Sequence, residues 1–219
     1  MWKIIGRKKA TQGAPPTYFA LLLLDGDNMG QFFKGNRERL RATAEALTDF
    51  ARGVQEIVRT HGGELIYAGG DDVLAFLPTE MAIECARKLH DAFAVVLPGA
   101  TLSGGIAVVH YKEDLRFALA QVRDAEKKAK RIGRTKDTKS KGKDACAGDT
   151  SVKDALALTI CKRSGEHSTV VMGWPETEKL TELIAAFAAK ASDRWSYKLR
   201  EEVDRLTQPI VDPGNWTAG

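Results

Sequence analysis

The spacing of apolar positions divides the chain into elements. TYFALLLLD, from Thr17 to Asp25, is a run of mostly apolar, uncharged residues ending in a carboxylate. It is short enough for a strand and apolar on both faces, which predicts a central strand covered on both sides. From Arg37 to His61 the apolar residues Leu40, Ala44, Leu47, Phe50, Ala51, Val54, Ile57 and Val58 recur every three or four positions. That is the period of an amphipathic helix, which His61-Gly62-Gly63 stops. ELIYA and DVLAFL follow as two short apolar runs parted by Gly69-Gly70, a hairpin pattern. Helical spacing resumes from Glu80 to about Val96, a strand is predicted over TLSGGIAVVHY, and a third helix over about Leu115 to Ile132.

The order from Thr17 is β-α-β-β-α-β-α, and its first six elements spell an α+β fold, a ferredoxin-like βαββαβ sheet with helices on one face. Residues 1–16 read as a basic tail. Residues 17–174 read as one domain, carrying a polar, Gly/Lys-rich loop at 133–154 and a further strand pair, ALALTICKR and STVVMGW, around a KRSGEH turn. Residues 175–219 read as a helical extension, with Leu180, Leu183, Ile184, Phe187, Ala191, Trp195, Leu199, Val203 and Leu206 at helical spacing. A helix of that length calls for a partner surface.

Composition narrows the class. A chain of 219 residues that is 43% hydrophobic can bury one sizeable core. The excess of 33 Lys and Arg over 29 Asp and Glu is too mild to argue for nucleic-acid binding by charge alone. Cys85, Cys146 and Cys161 are odd in number and widely spaced, which indicates neither a disulfide framework nor a zinc site and fits a reducing cytoplasm. No run approaches the roughly 20 apolar residues that a membrane span requires, so no membrane partner is expected.

The chemistry gathers around YAGGDDVLAFL. Strands avoid glycine and aspartate, so a pair of each inside an apolar run asks for a reason. Glycines at a hairpin tip accept positive φ and leave the tip bare for a ligand. Asp71 and Asp72 then head the second hairpin strand, beside the strand that ends at Asp25. Three converging carboxylates repel one another unless a hard cation such as magnesium joins them. Two such ions about 3.5 to 4 Å apart activate a hydroxyl and stabilise a departing pyrophosphate. Adjacent strand residues point to opposite faces, so Asp71 and Asp72 share a metal only if the turn distorts the pleat. Read alone, GGDD is equally a polar turn. The second half of the pattern is DGDNMGQFFKG, from Asp25 to Gly35, a loop able to offer free backbone N–H groups to phosphates. AKRIGR places Lys130 and Arg134 together at a helix end, an arrangement that by itself serves dipole compensation as readily as ligand binding.

LDGDNMGQFFK, YAGGDDVLAF, SGGIAV and AEKKAKRIGR, in this order, resemble the palm of nucleotidyl cyclases, including the GGDEF diguanylate cyclases. The GGDD form together with ALALTICKRSGE is more specifically similar to the second palm of the large subunit of type III CRISPR effector complexes, which turns ATP into cyclic oligoadenylate. The likeness covers about Thr17 to Trp174. It implies magnesium, or manganese in its place, held as two ions by Asp25, the Gly26 carbonyl, Asp71 and Asp72. It implies triphosphate contacts on backbone amides of Asn28, Met29, Gly30, Gln31 and Phe32 and on Lys130 and Arg134, with Gly69 and Gly70 at the bare tip and Ser103 near the nucleotide. Asp27 is expected to order the loop rather than bind metal, and Lys162 to Glu166 match a family segment.

Several features depart from that family. The nuclease domain, first palm and cysteine zinc site of the full subunit are absent from this sequence. A lone palm implies a homodimer or palm-palm pairing, or an excised or minimal form such as the single-palm CRISPR polymerases, with effector subunits and RNA as the wider partners. Three readings follow: a cyclic oligoadenylate synthetase, a nucleotide-binding scaffold active only in a larger complex, and a diguanylate cyclase using GTP. Against the last stand Asp72, where those enzymes carry Glu, and Val73 in place of Phe.

Overall fold

The computed structural model describes residues 16–131 and 153–190. Six strands form one sheet in the order β2-β3-β1-β4-β5-β6: β1 Tyr18–Gly26, β2 Glu64–Gly69, β3 Asp72–Leu77, β4 Leu102–His110, β5 Ala155–Cys161 and β6 His167–Gly173. Four α-helices accompany them: α1 Arg37–Thr60, α2 Ala82–Val96, α3 Leu115–Ala129 and α4 Trp174–Lys190. β1 to β4, with α1 and α2, are the expected βαββαβ unit. The basic tail, most of the polar loop with Arg134 and Cys146, and the extension beyond Lys190 lie outside the described residues.

The expectation of helices on one face holds for that unit and is corrected by α3. Ala20, Leu22 and Leu24 of β1 bury against Leu47, Phe50, Val54 and Val58 of α1 and Cys85, Leu89 and Phe93 of α2. Leu21, the intervening residue, packs on the other face with Ala118 and Val122 of α3, and Phe19 and Leu23 lie against the same cluster. Alternation sends successive side chains to opposite faces, so an apolar run with no polar interruption is what a doubly covered strand requires. The sequence order βαββαβ carries no information about α3, because that helix follows the unit.

Local chemistry sets the helix ends. The Asn36 side chain accepts from Arg39 N at 3.0 Å to cap α1, and Asp114 accepts from Arg116 N at 2.8 Å to cap α3. The third helix ends at Ala129 rather than Ile132, with Lys130 as its C-cap. β4 is buried along its whole length. A Cβ on Gly105 would lie 2.6 Å from Val122 O and 2.9 Å from Ala125 Cβ, so this glycine lets the α3 backbone lie directly on β4. β4 pairs parallel with β5, and every other registered pair is antiparallel.

Two compact units divide at Thr177 and Glu178. The first holds the whole sheet with α1 to α3. Within the second, the described residues continue α4 to Lys190, and Leu183 and Ile184 are exposed on it.

Candidate active site

The hairpin differs from its sequence reading by one residue, and the difference matters chemically. Gly69 pairs with Asp72, so the two-residue turn is Gly70-Asp71 and not Gly69-Gly70. Gly70 takes φ 66°, the conformation that favours glycine. Asp71 therefore sits in the turn, free of the pleat, while Asp72 opens β3. Asp72 alternates with Leu74 and Phe76, which pack toward α3, and Asp25 alternates with Leu21 and Leu23 on that same side. One carboxylate oxygen from each of Asp25, Asp71 and Asp72 lies within 4.8 Å of the others. Among the described residues this is the one acidic group so arranged.

The cluster is crowded by design of the backbone. A Cβ on Gly26 would fall 2.8 Å from both Asp71 Cβ and Asp71 Oδ2, so the glycine after Asp25 makes room for the turn carboxylate. Burial, then the hydrogen bond to Asp25 and the charges of Asp25 and Asp71, push the Asp72 carboxyl up to about 6. Asp71 is also raised, by burial first and by the Asp25 charge, against its own backbone hydrogen bond and the Lys130 charge. Three hard oxygen donors that resist sharing negative charge are the donor set a divalent cation fits.

Lys130 answers part of that charge. Its Nζ pairs with Asp25 and lies 2.9 Å from Glu126 Oε1. Burial alone would lower the Lys130 pKa, and the bonds to Asp25 and Glu126 more than reverse it, so the group stays firmly cationic. Sequence reasoning singled out Lys130 for a triphosphate and missed Glu126, although Glu126 stands four residues before it on α3, a spacing that pairs side chains.

The DGDN loop is fixed from beneath. Asp27 is buried, and its Oδ2 accepts from Thr101 Oγ1 at 2.9 Å, Ser103 Oγ at 2.8 Å and Asp154 N at 3.1 Å. Asp27 N donates to Thr101 O at 2.8 Å. Ser103 is fully buried, and its hydroxyl donates to Asp27 behind the loop. Beyond Asp27, Asn28 adopts φ 52° and Met29–Gln31 form a 3-10 turn. Gln31 N donates to Asn28 O at 3.0 Å and Phe32 N to Met29 O at 2.9 Å. Of the five amides expected to face phosphates, those of Gln31 and Phe32 are thus engaged within the turn. Nothing lies within 4 Å of where a Gly30 Cβ would stand, so the loop borders open space on that side.

Lys162 to Glu166 close the β5–β6 turn: Lys162 N donates to Glu166 O at 2.9 Å, and Lys162 Nζ lies 2.8 Å from Glu166 Oε2. That segment has a structural role at the turn.

The sequence model of the Cas10/Cmr2 second palm domain matches residues 18–144. The chain belongs to this family. The chain is 32% identical over 240 aligned positions to the CRISPR system Cmr subunit Cmr2 of Pyrococcus furiosus, an alignment covering 91% of this chain and 25% of that protein. It therefore spans about a quarter of that relative's length. A crystal structure of a Csm1-Csm4 cassette in complex with cA4 superposes with TM-score 0.57 at 17% identity, over 74% of this chain and 24% of that one. The apo Csm1-Csm4 cassette gives 0.52 at 17% identity, over 74% and 23% of the two chains. At such identity the likeness speaks for the palm fold. No described helix is long and apolar enough to cross a membrane.

Proposed function

We propose that this palm is a nucleotidyltransferase that joins ATP molecules and closes the product into cyclic oligoadenylate, releasing pyrophosphate. The observation that carries the reading is the convergence of Asp25, Asp71 and Asp72 from two chain segments at one end of the sheet. When bound there, a pair of magnesium ions, or manganese, supplies charge neutralisation at the leaving pyrophosphate and eases loss of a proton from the attacking ribose hydroxyl. Asp25 and Asp71 are the principal ligands, with the Gly26 carbonyl, and Asp72 completes the set once ionised. The amides of Asn28, Met29 and Gly30 face the phosphates, and Lys130 and Arg134 supply cationic contacts. The Lys130 ammonium, paired with Asp25, would be available to a phosphate oxygen where a cation held that carboxylate instead. No side-chain nucleophile is required, since the substrate hydroxyl attacks.

Ring closure needs two nucleotides in opposed orientation, which a twofold pair of palms provides. Membership in a family whose Pyrococcus relative is four times as long favours a second reading, a palm that binds nucleotide but turns over only with other effector subunits and RNA. Incubating the chain with radiolabelled ATP and GTP and either cation, then resolving products by chromatography, separates the readings. ATP-derived rings lost in Asp71→Ala and Asp72→Ala support synthesis. Carboxylate-dependent ATP binding without product supports the assembled palm, and rings from GTP alone indicate a diguanylate cyclase.

A further inference from the structure

The two residues before β5 touch the nucleotide loop, and the first residue of β5 touches the serine behind it. Lys153 Nζ donates to Asn28 Oδ1 at 2.8 Å, Asp154 N donates to Asp27 Oδ2 at 3.1 Å, and Ala155 N donates to Ser103 Oγ at 3.4 Å. Asp154 is the unusual one. It takes φ 35°, a left-handed conformation uncommon for a residue with a Cβ, although Asp and Asn adopt it more readily than most.

The holding contact comes from α2. His90 Nε2 lies 2.9 Å from Asp154 Oδ1, an N–H donating to a carboxylate. His90 is itself fixed: its ring stacks on Trp174 at 4.4 Å and 26°. Trp174 Nε1 donates to Leu102 O at 2.8 Å, and Leu102 is the neighbour of Ser103, which donates to Asp27. The contacts close on themselves, running from Asp27 through Asp154, His90, Trp174 and β4 back to Asp27. In such a ring each member limits the freedom of the next, and the carboxylate at its head sits two residues from Asp25 and one from Asn28.

We propose that Asp154 is a positioning residue for the nucleotide loop, held in its left-handed conformation by His90 and Trp174 and acting through Asp27 on the metal-facing and phosphate-facing groups beside it. It touches neither substrate nor cation. This assignment rests on the function proposed above. It ties the first residue of α4 to the geometry of the loop, so that a change at Trp174 is felt at Asp27. A structural ring alone would affect folding stability; a positioning ring affects the loop's order and what the loop binds.

The test uses the full chain, with amide hydrogen exchange and manganese titration followed by electron paramagnetic resonance. Asp154→Ala and His90→Phe, the latter keeping a ring against Trp174, are expected to raise exchange about tenfold in peptides spanning Asp25 to Phe32 while leaving α1 peptides unchanged. Both are expected to weaken manganese binding severalfold. Asp154→Asn, which keeps the acceptor for His90 and tolerates positive φ, is expected to restore both. Exchange and manganese affinity like wild type in Asp154→Ala and His90→Phe overturn the inference, as does faster exchange spread evenly over the molecule. Should Asp154→Ala fail to fold, His90→Phe and Asp154→Asn decide alone. Wild-type chain that takes up no manganese overturns the proposed function and this inference with it, and that outcome is distinct from one in which wild type binds and the variants bind equally well.

Discussion

Lys130 and Asp25 form an ion pair across 105 residues of sequence, joining the end of α3 to the end of β1. The pair places an ammonium where a divalent cation would meet the same carboxylate, so cation and Lys130 compete for Asp25. Lys130→Gln is therefore expected to bind manganese about 3- to 5-fold more tightly without nucleotide, the scale of a partly exposed ion pair. The same variant is expected to bind ATP more weakly, because the proposed phosphate contact is removed. Titration calorimetry with each ligand reads the two effects, and a parallel loss of both affinities would contradict the competition.

The pH dependence follows from Asp72, whose carboxyl lies at about 6 instead of its ordinary 3.8. Without cation, the folded protein keeps a proton that the unfolded chain has released over that interval, so this group's contribution to stability falls as pH rises from about 4 to about 6. A divalent cation prefers the ionised form and reverses the trend. Magnesium is thus expected to raise the melting temperature little at pH 5 and fully above pH 7, and Asp72→Asn to remove most of that difference. Equal magnesium shifts at pH 5 and pH 7 in calorimetric scans would count against this assignment.

Gly26 is the tightest point of the cluster, with Asp71 and Met29 atoms all 2.8 Å from an added Cβ. Gly26→Ala is expected to lower stability by about 1–3 kcal/mol, the usual range for overpacking. Its larger effect is on manganese binding, since Asp71 must retreat from Asp25. Near-wild-type manganese affinity in this variant, measured alongside a urea melt, would show that Asp71 is not a ligand.

Much of this arrangement was legible in the sequence because it rests on local rules. β1 announced its central place by an apolar run on both faces, and α1 by its spacing and its Gly62-Gly63 stop. Asp25, Asp71 and Asp72 were legible as a trio because the βαββαβ order brings β1 and β3 side by side. The turn lies one position further on than the glycines suggest, since Gly69-Gly70 and Gly70-Asp71 are both turn-forming pairs and only the pairing of Gly69 with Asp72 decides between them. The burial of Ser103 was not legible, because it rests on Asp27 and on β5, whose Ala155 N reaches its hydroxyl from 52 residues away. Asp154 carried no signal at all: its partners His90 and Asp27 are 64 and 127 residues away, and only the folded topology introduces them.

The single parallel pairing, β4 with β5, bears on the order in which the chain acquires its structure. Antiparallel neighbours β2 and β3 can zip from a tight turn, whereas β5 must wait until α3 and the segment after it have been traversed, and distant pairings form slowly. The prediction is that β5 amides gain protection after those of β1 to β3 in pulse-labelled refolding, and simultaneous protection would refute it. On that pathway a half-built sheet already holds its three acids in place, while the fastening of Asp27 by Asp154 arrives with the last strands, so the loop beside the acids is secured only late in maturation.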